Sequence, residues 1–261
     1  MRHDVQTASM GNCARFAVKP LTHGGTPAPV WLASLESRPL PRLDLTECPG
    51  LVVVAAHPDD ETLGLGATIA QLVASGVDVR VVSASDGGAA QPGATASEQT
   101  RLATTRRHEL RRAAGVLSVP EPVLLGLPDG QLADHEDTLT DLLTGILGTS
   151  GTRPWCAVTW RGDGHPDHEA VGRAAASACA RTGAELLEYP VWMWHWASPS
   201  DAAVPWDRAH AVPVSDWAVA RKRQAAQCFR SQFEPGIAGP TPVLPPFVLR
   251  RLLTVGELVF R

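Results

Sequence analysis

The sequence predicts an α/β fold of the Rossmann-like kind, in which helices flank a mostly parallel sheet. Short apolar runs rich in β-branched residues, such as Leu51–Ala56, recur along the chain and are typical of strands buried on both faces. Helical-looking stretches follow these runs, and glycines such as Gly76 end several of them, as at helix C-termini. Alternation of this kind gives parallel strands joined by right-handed crossovers.

Five strands and four helices form the predicted core, with the strands in the order 3-2-1-4-5. The strands are expected at Leu51–Ala56, Val77–Ser83, Pro122–Leu127, Cys156–Trp160 and Glu185–Val191. The helices are expected at Glu61–Ser75, Glu98–Ala114, Glu136–Leu147 and Glu169–Arg181. Ligand sites in such sheets form at the carboxyl ends of the strands where the order reverses, which here is between the first and fourth strands.

The segments on either side of this core lack its regular pattern. Residues 1–28 show no periodicity and are expected to form a flexible tail, and residues 29–50 an extended arm or short helix over the core. We therefore place a single domain at 51–261. The irregular C-terminal segment is rich in Trp and Pro, with a strand expected at Ala209–Pro213, a helix at Trp217–Phe229 and a helix or edge strand at Leu252–Phe260.

Composition narrows the classes of function. The formal net charge is −4 and the pI about 6.1, without a basic stripe, so nucleic acid is not favoured as a partner. No apolar run reaches the roughly 18 residues that a membrane-spanning helix needs, and residues 1–25 lack the apolar stretch of a secretory signal. Five widely spaced cysteines without a CxxC pair favour a reducing compartment. We expect a cytoplasmic protein without a membrane partner. The sequence is compatible with a homo-oligomer.

Two short strings match each other in design, and both follow a predicted buried strand and precede a predicted helix. They are His57-Pro58-Asp59-Asp60-Glu61 and His165-Pro166-Asp167-His168-Glu169. Because they follow the first and fourth strands, we expect them to meet where the strand order reverses.

The residue types in these strings are those of an open metal site. Two imidazoles and one carboxylate suit Zn²⁺ with a fourth position left for water, although Fe²⁺, Co²⁺ or Mn²⁺ could use the same donors. His57 and Asp60 can chelate from the first string, and the second offers His165 and His168. Asp59 lies between the first pair and is free to act as a base toward water. The sequence therefore predicts a metal-dependent hydrolase.

These strings resemble the motifs of the PIG-L-type (LmbE-like) zinc-dependent N-deacetylases, over roughly Leu51 to Gln232. Members of that family act on N-acetylglucosamine linked to other groups. The resemblance implies a hydrolase that removes the acetyl group from a small-molecule amino-sugar conjugate.

The resemblance also assigns roles to residues. The zinc ligands that it implies are His57, Asp60 and His168. It implies Asp59 as the general base and His165 as a cationic group that steadies the oxyanion, with Asp167 orienting the imidazole ring of His165.

Three weaker predictions concern the substrate. Arg106 and Glu109 resemble the family's R-x-x-E, whose arginine lies at the substrate pocket in some members, but they could equally be a surface pair on a helix. Asp129 could reach sugar hydroxyls or simply be the turn residue before Gly130. Three alternating tryptophans could stack on a sugar from one strand face or could pack the C-terminal segment onto the core: Trp192, Trp194 and Trp196.

The sequence departs from the family pattern at Ala67, Asp163 and Phe229. A glycine, a tyrosine of the mycothiol-pathway enzyme and a histidine respectively are expected there, so these changes argue against a mycothiol-pathway assignment. Two competing interpretations are an amidase acting on a thiol-sugar conjugate or other N-acyl amide, and a sugar-binding relative without turnover. Dinucleotide binding is excluded because no G-x-G-x-x-G follows the first predicted strand.

Overall fold

The structure is a computed structural model that describes residues 11–149, 153–235 and 242–261. The strands are β1 (Leu51–Ala55), β2 (Val79–Ser85), β3 (Val123–Leu127), β4 (Trp155–Thr159), β5 (Glu185–Tyr189), β6 (Ala209–Val212) and β7 (Glu257–Phe260). They form one sheet in the order β3-β2-β1-β4-β5-β7-β6. The first five strands are parallel and confirm the predicted order, which the last two extend.

Helices cover both faces of this sheet. They are α1 (Asn12–Ala17), α2 (Ala28–Ser37), α3 (Asp60–Ala74), α4 (Ala96–Leu117), α5 (Glu136–Gly148), α6 (Pro166–Thr182), α7 (Met193–Trp196), α8 (Asp216–Ala226), α9 (Arg230–Phe233) and α10 (Pro246–Leu252). Apolar residues of α3, α4 and α8 pack in one cluster, and those of α5 and α6 pack in the other. Throughout these ranges, no helix combines the length and the apolar character needed to cross a membrane.

Strand β1 lies at the centre of the fold, and all five of its residues are buried. Leu51 and Val53 belong to the cluster of α3, α4 and α8, whereas Val52 and Val54 belong to that of α5 and α6. Successive side chains of a strand point to opposite faces, so a strand covered on both faces reads as a continuous apolar run. Strand β1 pairs in parallel with β2 on one side and with β4 on the other. The ends of β1 and β4 are therefore neighbours.

The N-terminal region differs from the prediction. A flexible tail is wrong for residues 11–28, where α1 and the start of α2 lie; residues 1–10 fall outside the described ranges. The arm at 29–50 does contain a short helix, α2, and its Trp31 is fully buried and donates a hydrogen bond from Nε1 to the carbonyl of Trp194 (3.0 Å). The tail lacks a repeating pattern because its ordering contacts are made to distant parts of the chain, such as Asn12 Nδ2 to the carbonyl of Gly162 (2.8 Å).

The C-terminal segment also differs in two places. The residues 252–260 were expected as a helix or an edge strand, but β7 lies inside the sheet between β5 and β6 and runs antiparallel to both. The edge is instead β6, which was predicted as a strand. The three tryptophans do not share a strand face, because Trp194 and Trp196 lie in the short helix α7. Both are buried and pack this segment onto the core, whereas Trp192 is only partly buried.

Helix α3 breaks near its middle, and a strand side chain satisfies the freed backbone groups. Leu65 has non-helical dihedral angles (φ −130°, ψ 19°), which leaves the N–H groups of Ala67 and Thr68 without their usual helical partners. The carboxylate of Glu257, on β7, accepts hydrogen bonds from both (2.8 Å each). Buried Lys222 Nζ completes the arrangement 2.9 Å from Glu257 Oε1.

Because Lys222 and Glu257 are both buried, we expect Glu257→Ala to lower the free energy of unfolding by about 3–5 kcal/mol, since an unpaired buried ammonium remains. Urea denaturation measures this. The matched control is Glu234→Ala, which removes the exposed pair between Arg230 and Glu234 and should change stability little. Equal small losses in both variants would show that the buried pair does not hold α3.

Candidate metal centre

The two histidine strings meet above the adjacent ends of β1 and β4, as the sequence predicted. His57 follows β1, and Asp60 is the first residue of α3. His165 is the N-cap of α6, and His168 lies in its first turn. The ring centroids of His57 and His168 are 5.4 Å apart, and that of His165 lies 5.1 and 5.0 Å from them.

Three donor atoms converge at this point. Asp60 Oδ2 lies 3.4 Å from His57 Nδ1 and 3.3 Å from His168 Nε2. Among the described residues, the buried His168 Nε2 has no correctly aligned hydrogen-bond partner. Buried polar atoms are usually paired, so an orphaned imidazole nitrogen beside a carboxylate fits a metal ligand. The ligand atoms of His57, Asp60 and His168 all lie within 4.8 Å of one another.

Further carboxylates contact the opposite nitrogen of each ligand imidazole. His57 Nε2 lies 3.1 Å from both Asp129 Oδ1 and Asp167 Oδ2. His168 Nδ1 lies 2.8 Å from Asp163 Oδ2. Metal-bound histidines usually donate their second N–H to a carboxylate, which fixes the ring and raises its basicity. This pattern leaves Nδ1 of His57 and Nε2 of His168 as the ligand atoms.

Charge in the site is shared between carboxylates and imidazoles. Burial opposes protonation of His57, but its hydrogen-bonded carboxylates outweigh that effect and raise its pKa well above the usual value. Burial likewise opposes protonation of His168, whose pKa Asp60 and Asp163 nevertheless raise to about 9. The two imidazoles in turn overcome burial and hold the pKa of Asp60 well below its usual range. The donor set is therefore strongly attractive to cations.

Asp59 has a strained backbone that its neighbours hold in place. Its φ is 136°, in a region that L-residues rarely adopt and that costs about 1–3 kcal/mol. The N–H of Asp59 donates to Glu61 Oε2 (3.1 Å). Arg106 Nη2 donates to the carbonyl of Pro58 (2.8 Å) and lies 3.2 Å from Asp59 Oδ2. Burial raises the pKa of Asp59 to about 7, although Arg106 opposes the shift.

The expectation for His165 needs correction. The carboxylate of Asp167 does not orient this ring: it contacts His57 and accepts the N–H groups of Gly130 (2.8 Å) and Leu132 (3.1 Å). His165 Nδ1 instead accepts the backbone N–H of Asp167 (3.3 Å), because His165 is the N-cap of α6. Burial and the charges of His168 and His57 lower the pKa of His165 to about 3. Its imidazole is therefore neutral here, with the proton on Nε2, rather than cationic.

The predicted substrate residues also make contacts that hold the site together. Arg106 lines the cavity, but its guanidinium is engaged by Asp59 and the carbonyls of Pro58 and Gly87. The alternative of a surface pair is wrong, because Arg106 and Glu109 are both buried and Glu109 accepts hydrogen bonds from Ser231 instead. Asp129 also lines the cavity, while its Oδ2 accepts the N–H of Ala89 (2.6 Å).

Sequence reasoning missed Asp163 and Glu61. Asp163, noted only as a departure from the family pattern, is fully buried; besides His168 it accepts backbone N–H groups from residues 191–193. It thereby joins a metal ligand to the segment after β5. Two signals in the sequence could have pointed to these residues. Asp163 lies two residues before the second string, and Glu61 is the last residue of the first string.

A cavity of about 230 Å³ opens onto these groups. Its polar lining includes His57, Asp59, Asp60, Arg106, Asp129 and His165. Two of the candidate ligands, His57 and Asp60, therefore face the same space as the strained Asp59 and the neutral His165, and a small molecule can bind there. The fold and these donors define an α/β protein with a group of two histidines and one carboxylate that could hold a metal ion.

The family model for GlcNAc-PI de-N-acetylase, named PIG-L, matches residues 52–179. This match contains both histidine strings. Residues 52–179 thus match the PIG-L family model, in agreement with the resemblance that the two strings showed.

A curated relative from Mycobacterium sp. (strain JLS) is named 1D-myo-inositol 2-acetamido-2-deoxy-alpha-D-glucopyranoside deacetylase. It is 34% identical over 197 residues, and the match covers 65% of this chain and 61% of the relative. The chain thus spans less than two thirds of that relative's length.

Two solved structures show the shared fold. One is N,N'-diacetylchitobiose deacetylase from Pyrococcus horikoshii, with 22% identity, a TM-score of 0.54 and 72% of each chain covered. The other is a zinc-inhibited form of teicoplanin deacetylase Orf2, with 20% identity and a TM-score of 0.57, covering 70% of this chain and 84% of that one. At these identities the likeness concerns the fold alone.

The donor geometry predicts that Zn²⁺ stabilises the folded protein. At a thousandfold excess over its Kd, a metal that binds only the folded state adds about 4 kcal/mol, which thermal unfolding detects as a higher Tm. Asp60→Ala and His168→Ala should remove this shift, and Asp163→Asn should weaken the affinity about 10- to 100-fold. His108→Ala, at an exposed position outside the site, is the matched control. An unchanged shift in Asp60→Ala would contradict the ligand assignment.

Proposed function

We propose that this chain is a metal-dependent hydrolase that removes the acetyl group from an N-acetylglucosamine-type conjugate. The observation that carries the proposal is the convergence of His57, Asp60 and His168, with the carboxylate of Asp59 beside them and facing the same cavity as His57 and Asp60. A metal centre needs an adjacent base to activate water, and a site that only bound sugars would have no use for one. The family match and the name of the mycobacterial relative support the acetyl group and the sugar.

We propose Zn²⁺ as the resident ion, held by His57 Nδ1, Asp60 Oδ2 and His168 Nε2. Two imidazoles and a carboxylate with an open fourth position are a common zinc donor set in hydrolases. When bound, such an ion supplies Lewis acidity, which polarises a carbonyl and lowers the pKa of water. Because one structural neighbour is described as zinc-inhibited, Fe²⁺, Co²⁺ and Mn²⁺ belong in the same activity test, each added in equimolar amount.

Asp59 acts as the general base in this proposal. Its carboxylate removes the proton from the attacking water as the oxygen of that water bonds to the acetyl carbonyl carbon. The guanidinium of Arg106, 3.2 Å from Asp59 Oδ2, fixes the direction of the carboxylate. Glu61 holds the backbone of Asp59 in its strained conformation, so the base is oriented from both sides.

His165 acts as a hydrogen-bond donor. Since its Nδ1 accepts the N–H of Asp167, its proton is on Nε2, which can donate to the carbonyl oxygen as negative charge develops. As the C–N bond breaks, the proton that Asp59 took from water passes to the departing amine, and acetate and the free amino sugar leave. Asp167 supports the reaction indirectly, because its carboxylate orients the ligand His57.

We expect Asp59→Asn to retain the metal and to lose about 100-fold or more in kcat, because the amide cannot accept a proton. The measurement is release of acetate and free amine from N-acetylglucosamine conjugates by mass spectrometry. Elemental analysis of the purified variant serves as the control for metal content. A metal-loaded variant with near wild-type turnover would rule out Asp59 as the base.

The role of Glu61 has its own test. Glu61→Gln keeps an oxygen that can accept the N–H of Asp59, whereas Glu61→Ala removes it. We expect the alanine variant to lose roughly 10- to 100-fold in kcat with little change in KM, because small displacements of catalytic groups are costly. The glutamine variant should recover most of this loss. If both variants retain the metal and are equally impaired, hydrogen bonding to Asp59 is not the cause.

A further inference from the structure

The cavity has two unlike walls, which come from different parts of the chain. On the side of β2 and β3, the loops that follow these strands supply Ala89, Ala90, Asp129 and Gly130. Elsewhere the lining comes from α3, from the segment after β5 and from residues 243–252, and it is largely aliphatic. We call this second surface the apolar wall; it consists of Leu63, Val191, Val243, Leu244, Val248 and Leu252.

The apolar wall exceeds what the acetyl group requires. An acetyl group offers one methyl to bury, whereas the wall presents six aliphatic side chains, and the ring of Trp192 adjoins it. The buried Gln232 is the polar side chain that lines the cavity beside it; its Nε2 donates to Ser231 Oγ (3.0 Å), and its amide keeps a second N–H and its oxygen for a ligand. A sugar or polyol hydroxyl placed against the six aliphatic side chains, out of reach of Gln232, would lose hydrogen bonds to water without replacing them.

The apolar wall also lies mostly outside the part of the chain that the family model matches. That match, residues 52–179, contains every group proposed to react. Leu63 lies within it, and the other five members of the wall come from the segment after β5 and from residues 243–252. The shared chemistry and the apolar surface thus reside in different parts of the chain. We assign the wall to the part of the substrate that does not react, which is the aglycone.

We infer that the natural substrate is an N-acetylglucosaminide with an apolar aglycone, alkyl or aryl, that packs on this wall. The inference rests on the proposed function, because it takes the sugar and the acetyl group from there. In this arrangement the reacting amide lies at the metal centre, and the hydroxyl groups of the sugar face Asp129. The glycosidic substituent is then the group that remains to contact the apolar wall.

The test compares two series of substrates on the metal-loaded enzyme. The first keeps the N-acetyl group and varies the aglycone: methyl, butyl, octyl and inositol. We expect kcat/KM to rise about fourfold for each methylene that becomes buried, and the inositol conjugate to be no better than the methyl glycoside. Equal values along this series, or the highest value for inositol, would overturn the inference.

The second series keeps a methyl aglycone and lengthens the acyl group from acetyl to butyryl and hexanoyl. We expect the longer acyl groups to give no gain. A rise along this series without a rise along the aglycone series would assign the wall to the acyl chain and overturn our assignment.

Two substitutions of matched shape connect the preference to the wall. Val243→Thr and Val248→Thr introduce a hydroxyl at constant size, and either should reduce the ratio of kcat/KM for the octyl over the methyl glycoside. Val123→Thr is the matched control, because Val123 is 39% exposed at the start of β3, away from the cavity. Val248 is buried, so a melting curve must confirm that its variant folds. Val243 is only partly buried, so its variant should fold and still test the wall if Val248→Thr does not fold. An unchanged ratio in folded Val243→Thr and Val248→Thr would overturn the inference.

Calorimetric binding of the methyl and octyl glucosaminides, the deacetylated products, separates failure of this inference from failure of the proposed function. Tighter binding of the octyl compound without hydrolysis of any substrate would support the apolar wall and overturn the hydrolase proposal. Deacetylation of every conjugate at equal rates, with equal binding of both products, would support the hydrolase proposal and overturn the inference about the apolar wall.

Discussion

The parallel pairing of β1 with β4 is the constraint on which the site depends. In this register Val54 lies opposite Val158, so the turns after the two strands leave the sheet side by side. His57 and Asp167, 110 positions apart in the chain, consequently come into contact. A shift of one residue in either strand would exchange its two faces, and burial of β1 on both faces, with side chains fitted to different helix layers, opposes such a shift. The packing of apolar side chains thus fixes the positions of the candidate metal ligands.

The charges of the site explain why it suits a divalent ion. His57 and His168 have raised pKa values because the surrounding carboxylates stabilise two imidazolium protons. Metal binding requires neutral imidazoles, so the ion displaces those protons. One divalent cation for two protons leaves the total charge of the cluster unchanged. The carboxylates of Asp129, Asp167 and Asp163 on the distal nitrogens therefore stay balanced, and the rings remain oriented toward the same point.

The central sheet and the meeting of the two histidine strings could be predicted because their signals are local. A buried strand, a turn with His and Asp, and a following helix all fall within about twenty residues, and the rule for strand order joins the two strings. The partner of Asp167 and the role of Asp163 could not be predicted in this way, since both are decided by contacts across the fold. The interior position of β7 was hidden for the same reason: its four residues carry a weak pattern, and pairing with β5 and β6 decides their conformation.

The C-terminal segment contacts both the apolar wall and the helix that carries the candidate ligand Asp60. Glu257 on β7 binds the freed backbone of α3, the helix that begins with the ligand Asp60. The preceding helix, α10, contributes Val248 and Leu252 to the apolar wall. Since α10 also packs against α3, the same short segment shapes the cavity and braces the helix that carries the ligand. A substitution in this segment that enlarges the wall would therefore also displace the candidate ligand Asp60. Substitutions that preserve side-chain volume are the ones that can change substrate specificity and leave the candidate ligands in place.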